Sequence, residues 1–142
     1  LIKRGKKGYL ITIGDEPPPQ LLKREHIDKV FGGRAEGDFT FEQLVTQVRR
    51  SYIPIRIVIE QGSHVQSYGL DHVYSPWKRL LGEDAIDCSD YTKLAEIITS
   101  ILQVKAGINT KDVIDSWDGS TSVAVAKAIG SLTTTQDSSV VF

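Results

Sequence analysis

The chain has 142 residues, 40% of them hydrophobic and 25% charged, with a formal net charge of -1. That composition supports one globular domain with a sizeable core and argues against disorder. A charge this close to zero leaves no global field to draw in phosphates, so nucleic acid is not an expected partner. The single cysteine, Cys88, excludes an internal disulfide and a Cys-built zinc site, and reads as a buried thiol in a cytoplasmic protein. No apolar run reaches the ~18 residues of a membrane span.

A basic run (Lys3, Arg4, Lys6 and Lys7) leads in as a solvated stretch. Tyr9 to Ile13 is short, rich in β-formers and bounded by Gly8 and Gly14, which predicts a strand buried on both faces. Its end carries Asp15 and Glu16, and then Pro17, Pro18 and Pro19, read as a stiff polyproline exit. Gln20 to Phe31 reads as a helix stopped by Gly32 and Gly33. Thr40 to Tyr52 is a second helix. Thr40 and Gln43 have capping-box spacing, and Phe41, Leu44, Val45, Val48 and Tyr52 line one face.

Ile55 to Ile59 is the next strand, with Pro54 at its entry where no ladder donor is needed. Pro76 to Leu81 reads as a short helix, Ala85 to Cys88 as a third strand, and Tyr91 to Lys105 as a long helix with Ser89 or Asp90 as its cap. A last helix spans Ser120 to Leu132, followed by a polar tail. Strands alternating with helices predict a Rossmann-like open parallel sheet with helices on both faces. Three strands are few against the usual ~5–6. The chain also starts at Leu1 and contains no Met. Further strands are therefore expected upstream or on another chain. Residues 1–107 form the main α/β portion, and residues 108–142 a helical extension with its tail.

In such a sheet, ligands bind beyond the carboxyl ends of the strands. The first strand brings Asp15 and Glu16 there; the second brings Glu60, Gln61, Gly62, Ser63 and His64; the third brings Ser89 and Asp90. Carboxylates and hydroxyls are hard ligands suited to Mg²⁺ or another divalent cation. The alternative is that Asp15 caps the next turn and Glu16 faces water. Several other sites are discounted. His64 and His72 lack zinc-site spacing in what reads as a loop. Ser63 and His64 are merely adjacent, and Gly32-Gly33 lacks a following Lys-Ser/Thr.

The stretch Lys6-Lys7-Gly-Tyr-Leu-Ile-Thr-Ile-Gly-Asp-Glu-Pro17 resembles the fourth strand of a von Willebrand factor type A domain and the motif that closes it. The following elements come in that family's order over roughly Lys6 to Gly107. The resemblance implies a non-enzymatic protein-binding module with a metal-ion-dependent adhesion site. Asp15 would be that site's third element; Glu16 stands where glycine is frequent, and Ser63 is a further, weaker candidate. An AAA-type ATPase is the implied partner class. The family's first motif, Asp-x-Ser-x-Ser, and the threonine of its second would lie before Leu1. Asp118, Gly119 and Ser120 read instead as a turn and N-cap. Two rival readings stand beside it: a metal-free assembly domain, and a Mg²⁺-dependent hydrolase or phosphotransfer domain using Asp15 and Glu16.

Overall fold

A computed structural model describes residues 5–33 and 36–134 of the chain. Lys3 and Arg4 of the basic run, and the polar tail from residue 135 onward, lie outside them. In chain order the elements are β1 (Gly8–Gly14), β2 (Leu21–Leu22), α1 (Arg24–Phe31), β3 (Phe39–Thr40), α2 (Phe41–Val48), β4 (Tyr52–Ile59), α3 (Ser63–Tyr68), α4 (Leu70–Leu81), β5 (Ala85–Cys88), α5 (Leu94–Lys105), α6 (Thr110–Asp115) and α7 (Gly119–Ile129). β1, β4 and β5 form a parallel sheet in the order β1-β4-β5, and β2 pairs antiparallel with β3. The fold is thus α/β, with a Rossmann-like open parallel sheet.

The alternation of side chains along β4 divides the core into two layers. Ile55 and Ile57 face one way, and with Ile86 and Cys88 they pack against Ile97, Ile101 and Val104 of α5 and Val125 and Ile129 of α7. Val58 faces the other way, and with Ala85 it packs against Val45 of α2, Val65 of α3, and Val73, Trp77 and Leu81 of α4. α6 and α7 therefore share the core of the main sheet. Among the described residues no helix is long and apolar enough to cross a membrane.

β1 departs from the expected burial on both faces. It lies at the edge of the sheet, and Leu10 and Ile13, on opposite faces, are 40% and 45% exposed. Pro54 falls inside β4, opposite Leu10, and not at its entry. The register explains why this is tolerated. Gly8 N donates to Ser51 O at one end of β4 and Glu60 N to Cys88 O at the other, so the even-numbered residues of β4 bond toward β5. β5 begins only at Ala85, opposite Arg56, so the N–H that Pro54 lacks has no strand to meet.

Several boundaries move for identifiable reasons. The helix expected to reach Tyr52 stops at Val48, and Tyr52 opens β4. Pro54 biases Ile53 toward extended backbone, which pulls this stretch into the strand. The capping box is present, with Thr40 N donating to Gln43 Oε1 (2.9 Å) and Gln43 N to Thr40 Oγ1 (3.2 Å). α1 starts four residues later than expected, because Leu21–Leu22 pair with β3 and Asp38 Oδ1 accepts from Arg24 N at 2.7 Å. The stretch read as a loop before Pro76 is α3 and the first half of α4, with Pro76 inside the helix. α6 is an unexpected helix, capped by Asn109 through Lys111 N at 2.9 Å. Residues 91–93 are a 3₁₀ turn leading into α5, and Asp90 caps it by accepting from Thr92 N. α7 starts one residue earlier than expected and ends at Ile129.

Candidate functional site

The carboxyl end of β1 meets the start of α3. Asp15 Oδ2 accepts from His64 N at 2.7 Å. The N-cap position of α3 is Gly62, which has no side chain to offer. Asp15 supplies from 49 residues away the side-chain acceptor that an aspartate or serine at Gly62 would give locally. The fit is close: a Cβ placed on Gly62 would lie 2.2 Å from Asp15 Cβ and 2.5 Å from Asp15 Oδ2. Asp15 therefore caps a helix, and the helix is α3, far along the chain, in place of the turn that follows Asp15.

A cation sits on the other side of this corner. The Arg56 side chain runs beside Gly14, where a Cβ would lie 2.6 Å from Arg56 Nη2. Its guanidinium stands 4.7 Å from the Trp77 ring centroid. The backbone carbonyl of Glu16 gathers these groups, accepting from Trp77 Nε1 at 2.8 Å and Arg56 Nη2 at 3.4 Å. The Glu16 residue is otherwise exposed, and Ser63 is the exposed first residue of α3. Burial is the largest influence on Arg56 and holds its guanidinium below the ordinary range, against the opposing charges of Asp15 and Glu16.

At this corner the residue expected to hold a divalent cation, Asp15, is already engaged. One Asp15 oxygen is committed to a backbone donor, and a guanidinium already supplies positive charge beside it. Among the described residues no three His, Cys, Asp or Glu side chains gather so as to hold a metal ion.

The same edge holds a cluster that the sequence reading missed. Lys127 on α7 pairs with Glu60 Oε1 and stands 3.4 Å from Asp87 Oδ2. Burial, and then the hydrogen bond and charge of Glu60, push the Asp87 carboxyl up to about 6. Burial also acts to raise Glu60, but hydrogen bonds from Asp87 and Lys127 and the Lys127 charge leave it below the usual range. Lys127 is raised chiefly by its hydrogen bond to Glu60. Only Glu60 was legible as a strand-end residue. Asp87 lies within β5, and its lysine partner comes 67 residues after Glu60. Gln61 Nε2 donates to Ser89 O and so ties two strand ends together. Burial raises the Cys88 thiol, consistent with an inert core cysteine.

His64 and His72 come together through α3 and α4, with ring centroids 6.0 Å apart and Tyr68 against both at 4.6 and 5.6 Å. The 64, 68, 72 spacing was the available signal, masked because Gly69 interrupts the helical pattern. The rings are stacked, with 22° between their planes.

On the α2/α4 side of β1 a groove of about 380 Å³ opens between the strand and the helices. Leu10 and Leu44, 40% and 37% exposed, border it, with Pro54, Arg56 and Trp77 also in its lining.

Fold and site together define an α/β domain whose sheet edge is closed by an aspartate-capped helix and an arginine on a tryptophan face. Comparisons with protein-family models, with curated proteins and with solved structures give no match.

Proposed function

We propose that this chain is a non-enzymatic protein-binding module of the type A kind, and that it binds without a divalent cation at Asp15. The observation that carries the reading is the apolar groove beside β1, open at Leu10 and Leu44, with Arg56 and Trp77 in its lining. Exposed apolar surface rimmed by polar groups is a common mark of a protein interaction site. The resemblance to type A domains supplies the partner class, an AAA-type ATPase. The capping bond from His64 N to Asp15 supports the cation-free part, because the carboxylate already has structural work.

The test is affinity for a nucleotide-free AAA-type ATPase of the same cell, measured in EDTA and in millimolar Mg²⁺. Binding is expected to be equal in the two buffers. It is expected to weaken at least about 30-fold in Leu10→Asp, which places an unpaired charge at the mouth of the groove. Loss of binding in EDTA, with Leu10→Asp unaffected, contradicts both halves of the proposal.

A further inference from the structure

We propose that the groove receives an extended peptide of the partner protein, in which an acidic side chain flanked by apolar residues pairs with Arg56. This rests on the protein-binding reading above and adds the chemistry of the segment bound.

Arg56 lacks part of the partner set a guanidinium can take. Its Nη2 reaches a backbone carbonyl, Glu16 O, at 3.4 Å, and its guanidinium lies against the Trp77 face. Its Nε is buried and has no hydrogen-bond partner among the described residues. No carboxylate of the described residues forms an ion pair with it. The side-chain carboxylates of Asp15 and Glu16 act on it only as nearby charges, and burial outweighs them. A planar guanidinium in this condition is a receptor for a carboxylate, which can take two parallel N–H donors at once.

The surroundings choose the rest of the ligand. Leu10, Leu44 and Pro54 offer apolar surface on the approach to Arg56, so the residues beside the acid gain by being apolar. A basic side chain would be repelled, and a wholly apolar segment would bury the guanidinium further without answering its charge. Asp15 Oδ2 is occupied by the N–H of His64.

The experiment uses two pools of terminally blocked, fluorescently labelled heptapeptides on the full chain. Flanking positions are drawn from Leu, Val, Phe and Ser; the central residue is Glu in one pool and Gln in the other. Anisotropy is expected to show the Glu pool binding at least about tenfold tighter at low salt, with the difference shrinking as salt rises. Arg56→Gln is expected to abolish the difference and Arg56→Lys to reduce it. If Arg56→Gln does not fold, the Arg56 Nε–H resonance of the unaltered protein is read instead, and it is expected to move with the Glu pool and not with the Gln pool. Equal binding of the two pools overturns the role of Arg56 while leaving a protein-binding groove. Binding of neither pool, with the ATPase still bound, overturns the groove as the peptide site. Failure of both peptides and ATPase removes the functional reading as well.

Discussion

Replacing Gly62 with alanine is expected to lower stability by about 3 kcal/mol, read as a fall in melting temperature or in the denaturant midpoint. The backbone is not the reason. Gly62 has φ -66° and ψ 148°, an ordinary extended conformation that alanine adopts freely. The cost comes from the new methyl group, which would stand 2.2 Å from Asp15 Cβ and 2.5 Å from Asp15 Cγ. Asp15 cannot retreat while its Oδ2 holds His64 N, so either the β1 end shifts or α3 loses its capping carboxylate, itself worth about 1 kcal/mol. The two positions should therefore be coupled. In an Asp15→Gly background the Gly62→Ala substitution is expected to cost clearly less, which a double-mutant cycle measures. Full additivity would show that the corner is not built on this contact.

Lys105→Ala is the second large effect, again about 3 kcal/mol. Lys105 ends α5 with its side chain only 5% exposed, and its Nζ lies 2.6 Å from Asp84 Oδ1 and 3.6 Å from Glu83 Oε1. Removing the ammonium leaves these acids, 19% and 33% exposed, close together without their cation. Glu83 also accepts from Thr133 N (3.2 Å) and Thr133 Oγ1 (2.9 Å), so the turn after α4 holds both the end of α5 and the chain beyond α7. Lys105→Met keeps the buried stem and is expected to recover only the packing part of the loss. A cost under about 1 kcal/mol for Lys105→Ala, by chemical denaturation, would place this pair among ordinary surface ion pairs.

The parts of this fold that were legible in the sequence are those set by local pattern. Ile55–Ile59 became part of a strand because a short β-branched run between breakers has few other uses, and Ala85–Cys88 followed as a short mostly apolar run between Gly82 and Ser89. Thr40 and Gln43 announced their capping box because both halves lie within one turn. The misread parts depend on distant partners. The stretch from His64 to Ser75 looked like a loop because the cap of α3 comes from Asp15, and because Gly69 and Pro76 break a pattern that tertiary packing at Val65, Val73 and Trp77 restores. Leu21–Leu22 joined β3 instead of α1 for the same kind of reason.

The site follows that division. Asp15 was visible as a strand-end acid, but its use was not, since nothing local ties it to His64 or to Gly62. Arg56 sits between isoleucines in a strand and read as part of the alternation; only the register that sets it opposite Thr12, with its side chain reaching Gly14 and Trp77, gives it a role. Lys127 could not be linked to Glu60 and Asp87 before α7 was placed on the sheet.

Thermal melting of the unaltered chain and of Asp15→Ala, each in EDTA and in millimolar Mg²⁺, tests the central claim most directly. If Asp15 is a helix cap beside Arg56, the unaltered chain melts at the same temperature in both buffers. Asp15→Ala then melts lower by an amount worth about 1–2 kcal/mol, again regardless of Mg²⁺. A specific cation at a hundred times its dissociation constant would instead add about 2.7 kcal/mol. A rise of that order with Mg²⁺, abolished in Asp15→Ala, would contradict the account and make Asp15 a metal ligand.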